Sequence, residues 1–144
     1  MSPVAAVATG GTLVWLGMVL AISFLEAPLK FRAPGVTLQL GLGIGRLVFR
    51  ALNAAELVLA ATVVLAAIIA GVGAAAAIAV GVAVVLLLAQ LVLIRPTLTA
   101  RSDAVLEAAP GTEPPRSTAH YWYVGAEVAK VLALLVGGAL LLTA

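Results

Sequence analysis

Glu127 and Lys130 lie three residues apart in a mostly apolar stretch from Ala119 to Leu142, and Glu56 lies inside another from Leu47 to Ala70. Carboxylates and an amine in such surroundings can bind a proton, a cation or a polar ligand, or can pair with one another. On the last stretch His120, Tyr123, Glu127, Lys130 and Leu134 follow i, i+3, i+7, i+10 and i+14, which is one helical face. On the earlier one Arg46, Arg50 and Asn53 share a face, with Glu56 a turn further on. Glu26 closes the first apolar stretch and Gln90 falls about a turn before Arg95. The candidate ligand-binding set is therefore Glu26, Arg46, Arg50, Asn53, Glu56, Gln90, His120, Tyr123, Glu127 and Lys130.

Other chemistries find no support in the residues. The chain has no cysteine and one histidine, which excludes thiolate metal sites, cysteine nucleophiles, and all-histidine or bis-histidine haem ligation within one chain. His120 with Glu56 and Glu127 has the ligand types of a zinc-like site, but a histidine at a membrane edge is ordinarily solvated, so no metal is assigned. No serine or threonine stands beside a base, so no catalytic residue and no cofactor are assigned either. Gly41, Gly43 and Gly45 spell GxGxG, yet without a preceding strand, a Walker lysine or a downstream acid they do not make a phosphate loop. A non-enzymatic role is favoured.

The elements that must position these groups are set by composition. The 144 residues are 64% hydrophobic and 10% charged, against about 25% charged in a soluble domain, and mean hydropathy is +1.23. Eight basic and six acidic side chains are too few to cover a water-facing surface, so the lipid bilayer is the solvent. A hydrocarbon core of about 30 Å needs about 20 apolar helical residues, and the chain supplies them over 4–25, 47–70, 74–94 and 119–142. The expected fold is all-α, a single-domain integral membrane four-helix bundle, because helices satisfy their own backbone in lipid. Pro28 reads as a kink or stop after the first span, and Arg95-Pro96 as the close of the third.

Gly71-Val72-Gly73 is an uncharged hairpin, whereas the connections 28–46 and 95–118 carry Lys30, Arg32, Arg46, Arg95, Arg101 and Arg116. The positive-inside rule makes that side cytoplasmic and gives an N-out/C-out topology. The first stretch has no basic residue before it, unlike a secretory signal, and reads as a retained span. A multi-pass place in a bacterial inner membrane follows, with no nucleic-acid partner despite a net charge of +2.

Every ionisable group then lies in the cytoplasmic loops or the cytoplasmic half of a span. In one reading of this layer Glu127 pairs with Lys130 or Arg50, Glu56 with another arginine, and Glu26 with Lys30. In the other, carboxylates outnumber buried bases, at least one carries a proton, and the layer binds or translocates a small solute, proton or cation. Four helices enclose little space alone, so a homo-oligomer or a larger membrane complex is expected, and the alternative role is an accessory or scaffolding subunit. A cofactor-dependent membrane enzyme is the second alternative. The small residues Gly73, Ala77 and Gly81 form a stripe that packs within the bundle or against a second copy. Val36, Leu38, Leu40, Leu42 and Ile44 alternate as in a strand, which a bilayer would leave unpaired; the segment reads as interfacial, merging into the second helix.

Glu26-Ala-Pro28-Leu-Lys-Phe31, Gly45-Arg-Leu-Val-Phe49, Leu93-Ile-Arg95-Pro96-Thr-Leu-Thr-Ala-Arg101 and His120 occur in an order that resembles the four-span membrane proteins related to transmembrane protein 205. The resemblance spans nearly the whole chain and implies the four-span fold and topology, with Pro28, Phe31, Phe49, Arg95, Pro96 and His120 as family-type positions. Arg50 stands where the family commonly has proline, and Glu56, Glu127 and Lys130 are this chain's own. No reaction is implied.

Overall fold

A computed structural model describes residues 1–108 and 118–144. Arg116 and the turn-forming PGTEPP stretch of the connection 95–118 lie outside the described residues. Four helices are long and apolar enough to cross a membrane: α1 (Pro3–Arg32), α2 (Leu38–Ala70), α3 (Ala74–Glu107) and α4 (Ala119–Thr143). No strand occurs among the described residues. Large apolar side chains such as Ile68 and Leu93, 71% and 72% exposed, cover the outer surface, as a protein solvated by acyl chains requires.

Three helices run further than their apolar stretches suggest. Ser2 caps α1 through a hydrogen bond from the Ala5 amide, and the helix passes through Pro28 to Arg32 instead of stopping there. Similarly, α3 passes through Pro96 to Glu107. In both cases a π-helical segment, Leu20–Glu26 or Gln90–Ile94, ends two residues before the proline. Ala27 donates to the Ile22 carbonyl and Arg95 to the Gln90 carbonyl. The wider turn moves the carbonyl four residues back away from the pyrrolidine ring, relieving the clash that would otherwise end the helix.

The start of α2 at Leu38, rather than near Leu47, has a different cause. Thr37 accepts a hydrogen bond from the Leu40 amide at 3.1 Å and caps the helix. The alternating segment is thus helical, with its backbone satisfied internally. Gly41 and Gly45 are buried there; a methyl on Gly41 would overlap the Phe31 ring, and one on Gly45 would lie 2.9 Å from Lys30 Nζ. These glycines let the last turn of α1 cross close over α2. At 33 residues and about 1.5 Å each, α2 exceeds the hydrocarbon thickness, so its first turns project beyond it. The hairpin to α3 turns on Gly71, whose φ of +64° is left-handed.

The helices pack unevenly. α3 lies chiefly against α4, α1 against α2 and also against α4, while α2 and α3 touch little. Small residues make the close contacts: Gly137 faces Ala79 and Val80, and Gly138 faces Leu13. The central core is Trp15, Leu16, Val19, Ala60, Ala83, Leu87 and Leu134. The buried stripe of α3 is Ala76, Ala79, Val80, Ala83 and Leu87. Gly73 and Ala77 are exposed and Gly81 has open space beside it. The reading that this stripe packs within its own bundle is therefore corrected: helical rotation places it a third of a turn away from the buried face.

Candidate functional site

All four helices send a polar group to one point in the bundle. Lys130 Nζ on α4 lies 2.6 Å from Glu56 Oε2 on α2 and 2.6 Å from Glu127 Oε1 one turn earlier on its own helix. Its third hydrogen goes to Gln90 Oε1 on α3 at 2.8 Å, so every N–H of the ammonium is used. From α1, the Trp15 indole N–H donates to Glu56 Oε2 at 2.8 Å, and the Ser23 hydroxyl donates to Glu127 Oε2 at 2.8 Å. Gln90 Nε2 donates to Glu127 Oε1 at 3.3 Å. Glu56 and Lys130 are fully buried and Glu127 is 1% exposed. Within the cluster Glu56 Oε1 is the one polar atom without a partner among the described residues. Two carboxylates against one ammonium leave one negative charge, or none when Oε1 carries a proton.

The two π-helical segments serve this cluster directly. Ser23 falls within the first and Gln90 opens the second. π turns concentrate at functional positions because the shifted register re-aims a side chain without ending the helix.

Beside the cluster, a cleft of about 850 Å³ opens where α2 and α3 fail to pack. That size lies within the range of about 300–1,000 Å³ usual for small-molecule sites. Its wall carries Lys30, Arg46, Arg50, Arg95 and Arg101, the imidazole of His120, and a single carboxylate, Glu127. Phe49 is the hub: Lys30 Nζ and the Arg95 guanidinium lie 5.7 Å and 5.6 Å from its ring centre, and Tyr123 meets it edge to face at 5.8 Å. Arg46 donates to Asp103 at 2.6 Å, joining α2 to the far part of α3. Gln39 helps close that end through bonds to the Val105 and Ala108 carbonyls.

The ten residues singled out by sequence thus separate into two groups. Glu56, Gln90 and Lys130 form the closed cluster, while Arg46, Arg50, Asn53, His120 and Tyr123 line the cleft. Glu127 belongs to both and forms the wall between them. Glu26 stands apart from both, 3.8 Å from Lys30. Glu56 takes the lysine as its partner and not an arginine, because Lys130 projects to the same depth while Arg50 is exposed nearer the charged end. His120 is exposed, and no group of three metal-ligating side chains forms among the described residues.

Trp15 and Ser23 were not singled out by sequence, although a signal was present. A tryptophan deep inside an uncharged span, away from the interface occupied by exposed Tyr121 and Trp122, must give its N–H to an acceptor from another helix. Asp103 carried no such signal. No family model matches the chain, and no curated protein or solved structure matches it either.

Proposed function

We propose that this multi-pass membrane protein binds a small solute in the cleft between α2 and α3 and moves it between the membrane and the cytoplasm. The observation that carries the reading is the pairing of an open cleft with charged side chains left without counter-charges. Among the described residues no carboxylate lies within ion-pair distance of Arg50 or Arg95, both on the cleft wall. The closed cluster supports this division of labour: its cation position is filled by Lys130, so it acts as the fixed floor of the cleft. The positive connections favour a cytoplasmic mouth, with both termini outside, in a bacterial inner membrane. Membership of the family related to transmembrane protein 205 is part of the proposal. Its support is that Pro28, Phe31, Phe49, Arg95 and His120, distant in sequence, all line the one cleft.

Native mass spectrometry from membrane vesicles tests the reading. The wild type is expected to carry a non-covalent adduct that Ala54→Trp, which fills the cleft, loses without losing its fold. Bare protein in both cases, or the same adduct in both, would contradict it.

A second reading, an accessory subunit held in an oligomer, is favoured by the outward Gly73, Ala77 and Gly81 stripe. The same spectra decide it: an oligomer that Ala77→Trp breaks apart, with no adduct on either form, supports the accessory role.

A further inference from the structure

Resting on the solute-binding reading, we infer that the ligand is an amphipathic anion: one carboxylate, sulfonate or phosphate head on an apolar tail. The charge inventory of the cleft comes first. Lys30 has Glu26 nearby and Arg46 is held by Asp103, and the one carboxylate on the wall, Glu127, has both oxygens committed to Lys130, Gln90 and Ser23. Arg95 is repelled by Arg46 and by Arg50, and the Glu127 carboxylate offsets part of that repulsion without pairing with either Arg50 or Arg95. Guanidiniums are weakly hydrated, always charged and matched to planar or tetrahedral oxyanions by two parallel N–H bonds. An anion between them removes the repulsion; a cation adds to it.

A second feature points the same way. Tyr123 is 6% exposed, and its hydroxyl, near the Glu127 carboxylate, makes no well-formed hydrogen bond among the described residues. A buried hydroxyl without a partner is costly, and Tyr123 lines this cleft. An oxyanion head beside Arg95 supplies the missing acceptor. Phe49 holds Arg95 against its ring, which leaves the guanidinium edge free to donate.

The tail is specified by the rest of the wall. Phe24, Ala54, Leu57 and Leu91 line the cleft deeper in the span, and Phe24 and Leu57 are 40% and 44% exposed. Because α2 and α3 pack little between their ends, an acyl chain can enter sideways from the bilayer while its head stays at the charged end. A hydrated inorganic anion would leave these apolar side chains without a function. A free single-chain anion and the headgroup of an anionic phospholipid share this chemistry.

The test uses the full chain in phosphatidylcholine nanodiscs with dansyl-labelled undecanoate and its neutral amide as probes. The carboxylate is expected to bind saturably and at least about tenfold more tightly than the amide, as two charge-assisted contacts require. Arg50→Gln with Arg95→Gln should abolish that preference while leaving the amide's affinity unchanged, which also shows that the variant is folded. Equal binding of the two probes to the wild type would overturn the anion assignment and leave the solute-binding reading intact. Saturable binding of neither would also overturn it, and the adduct measurement on Ala54→Trp would then decide the broader reading separately. Nanodiscs enriched in phosphatidylglycerol distinguish the two sources. Displacement of the carboxylate probe identifies a resident phospholipid head, and undiminished binding identifies a single-chain anion; both outcomes support the anionic head.

Discussion

Replacing Lys130 with methionine should cost the folded protein about 3 kcal/mol or more, the largest loss expected from any conservative change in the bundle. The substitution keeps the volume of the side chain but leaves the Glu56 and Glu127 carboxylates, both essentially unexposed, facing each other without the ammonium that now lies 2.6 Å from each. Gln90 Oε1 loses its donor at the same time. The low end of the range for broken buried pairs is the appropriate one. The dissociated helices still lie in lipid, where stranded carboxyls take up protons or find other partners. Glu56→Gln should behave quite differently, because Glu127 keeps its lysine and the amide still accepts from Trp15 and Lys130. Thermal denaturation in a fixed detergent, followed by circular dichroism, measures both. A Lys130→Met protein as stable as the wild type would mean that the cluster contributes nothing to holding the helices together.

Trp15→Ala should be at least as damaging, by about 3–5 kcal/mol, the usual range for truncating a fully buried large aromatic. Trp15 is 0% exposed at the centre of the core formed with Leu16, Val19, Ala60, Ala83, Leu87 and Leu134, so no neighbouring residue on the lipid side can fill the gap cheaply. Its indole also donates to Glu56. Trp15→Phe separates the two contributions, keeping most of the volume and losing the donor; Glu56 Oε2 keeps Lys130, so the cost should be about 1.5–3 kcal/mol, that of one hydrogen bond to a charged group. Urea or detergent-mixture unfolding of the three proteins gives the ordering. Equal stability of the Phe and Ala variants would show that the hydrogen bond, and not the packing, is what matters.

The parts of this structure visible in the sequence are those fixed by the solvent. Long apolar runs must be helices in lipid, and an inward face is the only affordable place for Tyr123, Glu127 and Lys130; the buried face of α4 is indeed Tyr123, Glu127, Lys130 and Leu134. The helix ends were not visible. A proline ends a helix unless the turn before it widens, and nothing in Leu20–Glu26 or Gln90–Ile94 announces a π turn from composition. Pairing choices were also hidden, since Glu56 could reach a lysine or an arginine by spacing alone, and only the uneven packing of the helices selects Lys130. That same unevenness, the sparse packing of α2 against α3, divides the polar layer into a closed cluster and a cleft, and no periodicity within a single helix encodes it. The glycines at 41 and 45 illustrate the limit well: their spacing suggests close approach, but their neighbours turn out to be Phe31 and Lys30 at the end of α1.

Because the chain contains no cysteine, a single introduced thiol reports cleanly on its surroundings, and this offers the most direct test of the division between cluster and cleft. Ala54→Cys places a thiol at an exposed position on the cleft wall, and Leu134→Cys places one in the sealed core at 0% exposure. In nanodiscs the first should react with methanethiosulfonate reagents, several-fold faster with the anionic sulfonatoethyl form than with the cationic trimethylammonium form, as expected near uncompensated arginines. The second should stay unmodified. Equal inertness of the two thiols, or a preference of the Ala54→Cys thiol for the cationic reagent, would contradict a water-accessible, anion-attracting cleft beside a closed ion-paired cluster.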